Sequence, residues 1–180
     1  RVNADLVNKL VNIASRCAGF IKKADGKLPA KLENLALWQQ FVDAGQSIAK
    51  SFDDREYGRA IRDIMALADD ANLYINDRAP WVLAKEGKLD EAVAVSGMGI
   101  NLFRVLMIYL QAVLPATADK AREFLNDELR WDADIQPLLN HEINTFSAMM
   151  NRIELSQVEA IIAEETAAQA EQKAKNEKAA

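Results

Sequence analysis

Asn8, Asn12 and Arg16 recur at intervals of four, and Trp81 directly follows Pro80; these are the residues whose types and spacing best suit chemistry. Carboxamides and a guanidinium present donors and acceptors in fixed planes, which is what reading the edge of an unpaired base requires. An indole adds the flat face on which such a base stacks. In an α-helix a four-residue step turns by about 40°, so the three polar residues fall within roughly an 80° arc and form one stripe. Such a stripe is ordinarily a wet helix face. Asparagine, however, is a poor helix former that solvent contact alone does not demand, and two of them on one stripe ask for a use. The other two tryptophans, Trp38 and Trp131, read as core.

The elements that must position these side chains are helices. Seven Gly and four Pro in 180 residues are few, and Ala, Leu, Lys, Glu and Gln abound, which favours an all-α class. From Asp5 to about Lys23, Leu6, Leu10, Ile13, Cys17 and Phe20 recur every three or four residues, until Asp25-Gly26 breaks the pattern. A second helix is expected from Lys31 to about Ser51. A third, capped by Asp53 or Ser51, runs through Tyr57, Ile61, Ile64 and Ala68 to near Asn76. Pro80 permits a short fourth, since proline at the first helical position gives up only an N–H without an intrahelical partner, and Gly87 ends it. Leu89 to about Leu114, stopped by Pro115, is the most apolar stretch and reads as the central helix. A short helix over Asp119 to Leu129, an irregular connector through Trp131 and Pro137-Leu138-Leu139, and a helix over Glu154 to Ile162 follow. Residues 166–180, almost only Ala, Glu, Gln and Lys, cannot bury a face, so the domain is expected over 1–165 with a solvated or disordered tail.

Charge narrows the function classes. The net charge of −5 disfavours indiscriminate polyanion binding. Residues 1–27 nevertheless hold six bases against two acids, and residues 119–142 three bases against seven acids, so a local RNA site is compatible with an acidic whole. Cys17 is the only cysteine, which leaves neither an intrachain disulfide nor a cysteine zinc site and fits a reducing cytoplasm. No apolar run approaching the ~20 residues of a membrane span is expected, nor a secretory signal.

Three segments carry a family resemblance: Val7 to Arg16 with Ala18-Gly19-Phe20, Ala79-Pro80-Trp81 with Ala84-Lys85, and Gly99-Ile100-Asn101-Leu102-Phe103-Arg104. Together with Phe124-Leu125, Trp131, Pro137-Leu138-Leu139 and Asn151-Arg152-Ile153-Glu154, they resemble the C-terminal anticodon-binding region of bacterial methionyl-tRNA synthetases. The resemblance implies an antiparallel α-helical bundle of the class Ia synthetase type that unstacks and reads a CAU anticodon. It implies that Asn12 and Arg16 hydrogen-bond anticodon bases, chiefly the first, that Trp81 stacks on that cytosine, and that Pro80 fixes its backbone. Asn8 is included as their neighbour.

By the same resemblance, the full-length enzyme joins methionine to initiator and elongator methionine tRNAs with ATP, often carrying a structural zinc. The HIGH and KMSKS signatures of its catalytic domain are absent here, and so is a Gly-rich phosphate loop. No catalytic centre, cofactor or metal is therefore expected in this chain. The fragment is expected to be monomeric, to dock on the missing catalytic domain, with residues around Asn151 to Val158 returning towards it, and to have no membrane partner. A di-metal carboxylate bundle fails because His141 has Leu138 three positions before it where Glu is needed. A helical protein-interaction module, anchored by Trp38, Met149 and Met150, is the alternative.

Overall fold

A computed structural model describes residues 2–132 and 134–166. It is helical throughout its ordered elements: a π-helical segment Val2–Val11, then α1 Asn12–Lys23, α2 Leu35–Asp53, α3 Tyr57–Arg78, α4 Pro80–Lys85, α5 Leu89–Leu110 and α6 Pro115–Leu125. Residues 155–166 form a further, exposed helix, and the expected tail from 167 onwards lies outside the described residues.

The helix α5 is the axis of the domain. Every residue from Val95 to Leu110 is buried, and α1, α2, α3, α4 and α6 all pack on it. By length and composition alone α5 resembles a membrane span. Over 18 residues α5 reaches a mean hydropathy of 1.7, yet 89% of that stretch is buried within the bundle, as befits a core helix surrounded on all sides. Small residues set how closely its neighbours approach. A Cβ on Gly99 would stand 2.6 Å from Cys17 Sγ, and one on Gly97 2.4 Å from Pro29 Cδ.

The helices α2 and α3 form an antiparallel hairpin, with Phe52 against Tyr57 near the turn and Gln40 bonded to Asp70 further along. The N-terminal helix runs beside α3 in the same direction. Lys9 pairs with Asp69, and seven residues on Arg16 bonds Asn76, so equal steps along the two helices keep the same register.

Several boundaries differ from expectation. The first helix is a wider i→i+5 coil up to Val11 before it becomes α; residues at three- and four-residue spacing give no sign of that change. The second helix starts at Leu35 because Asn34 caps it, its Oδ1 accepting from Leu37 N at 3.0 Å. Residues 26–29 are instead drawn into an antiparallel ribbon with 140–143, through Leu28 N to His141 O, Asn140 N to Pro29 O and Ile143 N to Gly26 O. Neither Ser51 nor Asp53 caps α3. Both lie in α2, and the turn through Asp54 and left-handed Arg55 leaves Glu56 at the start of α3 without a side-chain cap. Pro115 begins α6 as its first residue, and α6 ends four residues earlier than expected where Asn126 turns left-handed.

The connector after α6 is irregular, as expected, and is held by α5. The buried Asn101 donates to Gly97 O and Leu138 O and accepts from Leu138 N at 2.7 Å. Arg104 binds Asp127 at 2.8 Å and Gln136 O at 2.9 Å. Trp131 packs on Tyr109 at 4.8 Å between ring centroids, so both Trp38, 3% exposed, and Trp131 take the core role assigned to them.

Candidate nucleic-acid interface

The backbone around Trp81 follows from the proline beside it. A residue preceding proline is disfavoured in the right-handed helical region, so α3 ends before Ala79. Ala79 turns left-handed (φ 41°, ψ 63°), its N–H closing α3 on Ile75 O at 2.9 Å, and its carbonyl accepting from Val82 N as α4 begins. Pro80 is buried at the first position of α4. Trp81 thereby stands at the corner where α4 begins, 37% exposed.

Across from it, Arg16 projects from α1. Its guanidinium carbon lies 4.7 Å from the centroid of the Trp81 ring, and its Nη2 donates to Asn76 Oδ1 at 2.6 Å. The planar cation is thus fixed twice, by a stacking contact on one side and a carboxamide at its tip. Its remaining N–H groups have no hydrogen-bond partner among the described residues.

Asn12 stands one turn before Arg16. Ser15 Oγ donates to its Oδ1 at 3.3 Å and to its carbonyl at 3.2 Å. That leaves the Asn12 amide N–H groups without a partner among the described residues. Arg16, Trp81 and Pro80 therefore lie together, with Asn12 one turn earlier on α1. Asn8 is different: it lies on the π-helical segment, and its Oδ1 accepts from Arg152 Nη2 at 3.0 Å. It serves as an anchor for the returning chain beside Asn3, which brackets the Ile153 backbone with two bonds of 2.8 Å.

Sequence reasoning missed Asn76, Ser15 and Arg152. Asn76 carried a usable signal, a second carboxamide one turn before the Pro80-Trp81 corner; the contacts of Ser15 and Arg152 depend on positions that only the fold fixes.

Beneath the row, Cys17 is fully buried. Burial pushes its thiol up to about 12, with Arg16 next door and the nearby Ser96 hydroxyl pulling weakly the other way. Ser96 Oγ makes no hydrogen bond of full geometry, so burial dominates and the thiol is a packing group. Among the described residues no three His, Cys, Asp or Glu side chains converge to hold a metal ion.

The alternative anchors of a protein-interaction surface fare poorly: Trp38 and Met149 are each only 3% exposed.

Residues 25–172 match the model of the anticodon binding domain of methionyl tRNA ligase. The chain belongs to that family. The matched stretch contains Asn76, Pro80 and Trp81, whereas Asn8, Asn12 and Arg16 precede it. Solved structures agree on the fold. The apo form of Mycobacterium tuberculosis methionyl-tRNA synthetase superposes with a TM-score of 0.75 at 22% identity, over 86% of this chain and 34% of that one. The same enzyme bound by methionyl-adenylate gives 0.73 at 22% identity, over 84% of this chain and 32% of that one. The chain thus spans about a third of the length of the solved structures it matches.

Proposed function

We propose that this domain recognises the CAU anticodon of initiator and elongator methionine tRNAs, as the RNA-reading part of a methionyl-tRNA synthetase. The observation that carries the reading is Arg16 stacked on Trp81 and pinned by Asn76, with the unpartnered amide of Asn12 beside it. The edge of cytosine presents two adjacent acceptors and one amino donor, and a guanidinium matches the acceptors with paired N–H groups. Uracil places an N–H where cytosine has an acceptor, so a donor would face a donor and the contact is lost. On this reading Arg16 and Asn12 select the first anticodon base, Trp81 supplies the stacking face, and Pro80 holds that face at the mouth of the site. Asn8 acts one step back by holding Arg152.

Joining methionine to tRNA with ATP, and any structural zinc, belongs on this reading to the rest of a longer protein in the cytoplasm, to which the present domain docks as one monomeric unit. Binding of anticodon stem–loop RNAs bearing CAU and UAU tests the proposal. The native chain is expected to prefer CAU by tenfold or more, and Trp81→Ala to lose affinity by about 1–3 kcal/mol together with most of the preference. Equal binding of both RNAs by the native chain overturns it.

A further inference from the structure

The basic N-terminal stretch is only partly used by Asn12 and Arg16. On the adjoining face of α1, a cleft of about 250 Å³ is lined by Ser15, Gly19 and Lys22 on the helix and by Asn144, Thr145 and Phe146 on the connector. It is continuous with the reading row, because Ser15 both lines it and bonds Asn12. Gly19 keeps its floor low: a Cβ built there meets no atom within 4 Å. Lys9, Lys50 and Lys88 each hold a carboxylate, whereas Lys22 holds none among the described residues. Asn144 donates its amide nitrogen to Glu123 O, and its oxygen has no hydrogen-bond partner among the described residues.

A lysine in the last turn of a helix is favoured by the helix dipole alone. The dipole does not account for the cleft, the missing side chain at position 19, or the hydroxyl-bearing wall opposite. We propose that this cleft seats a sugar–phosphate unit of the RNA strand whose base is read at Arg16 and Trp81, with Lys22 on the phosphate and the Ser15, Asn144 and Thr145 side chains on the sugar. The proposal rests on the anticodon reading. At 1.5 Å rise and about 100° per residue, Lys22 lies about 9 Å beyond Arg16 along α1 and about 120° around it, so a strand joining the two would curve around the helix. The base contacts would then specify and this seat would only position, adding affinity without sequence preference.

The test measures CAU and UAU stem–loop binding across a salt series for the native chain, Lys22→Gln, Gly19→Leu and, as a control, Lys50→Gln near the end of α2, which pairs with Asp54 and does not line the cleft. Lys22→Gln is expected to weaken both RNAs by the same factor, about five- to tenfold, and to flatten the slope of log affinity against log salt by about 0.7 to 0.9. Gly19→Leu, which fills the cleft at an exposed helical position, is expected to weaken both RNAs without changing that slope, with helicity and melting unchanged or improved. Lys50→Gln should alter nothing. Native-like binding by both cleft variants, or an equal slope loss at Lys50, overturns the seat while a CAU preference leaves the anticodon reading standing. Weakening at Lys22 and Gly19 with equal binding of CAU and UAU keeps the seat and overturns the reading; no binding by the native chain overturns both.

Discussion

At the scale of residues, Arg16 on the proposed reading works as a plane, because a guanidinium lying over the indole and bonded at its tip is oriented before any ligand arrives. Lysine carries the same charge as a flexible point and cannot reproduce that plane. Arg16→Lys is therefore expected to keep most non-specific RNA affinity but to lose at least tenfold of the CAU preference, measured by stem–loop competition. Asn76→Ala removes the pin and leaves the stack, so a smaller loss in the same direction is expected. Cys17 gives an independent check of the packing beneath. Its folded thiol is raised by burial to about 12, so the folded state resists ionisation that the unfolded chain undergoes near pH 8.5. Stability should fall as pH rises above that lower value, and aromatic disulfide reagents at neutral pH should label Cys17 only in denaturant. Rapid labelling of the native chain would show that the α1–α5 contact is loose.

At the scale of elements, two asparagines hold helices to their surroundings in different ways. Asn34 caps α2 at its exposed start, and Asn34→Ala is expected to cost about 1 kcal/mol in urea unfolding. Asn101 sits inside α5 with three hydrogen bonds, two of them to Leu138 across the connector. Asn101→Ala should cost more, roughly 2–4 kcal/mol, since the Leu138 amide and carbonyl lose their partner. These two residues also mark what could be read in advance. The start of α4 and its end at Gly87 were legible, because proline and glycine act through their own backbone limits. So was the central helix, whereas the contact of Arg16 with Trp81 was not, because it joins two helices 65 positions apart. Asn34 was passed over because the apolar spacing of Leu32 and Leu35 extends smoothly across it. The segment Gly99 to Arg104 was legible as a family signature but not as a role. Its Gly, Asn and Arg are the residues that bring Cys17 close and tie down the connector, through partners 23 or more positions away.

At the scale of the whole molecule, the irregular half is fastened to the helical half at a few polar points, and one of them is sensitive to acid. Burial alone would raise the Asp127 carboxyl, but the Arg104 bond and the Leu129 N–H outweigh it and hold the group below the usual carboxylate range. A depressed folded value means that the stabilisation is complete above the unfolded carboxylate value near 4 and is lost as pH falls through the folded one. The difference in unfolding free energy between the native chain and Asp127→Asn should thus shrink from pH 6 to pH 3. At neutral pH the substitution should cost roughly 2–4 kcal/mol, because it leaves the largely buried Arg104 without its counter-charge. A difference that stays constant with pH would mean that the pair contributes through shape alone. The ribbon joining residues 26–29 to 140–143 belongs to this scale as well, and no local pattern announces it: its bonds are made by backbone groups whose partners lie more than a hundred positions apart.

On the proposed reading, the guanidinium lying over the Trp81 ring couples the two contacts that a base would make. A base that only stacks gains about 1–3 kcal/mol from the indole. One that also meets the N–H groups held in place by Trp81 and Asn76 gains further along its edge. The domain would then act as a coincidence detector that answers fully only when face and edge are both correct.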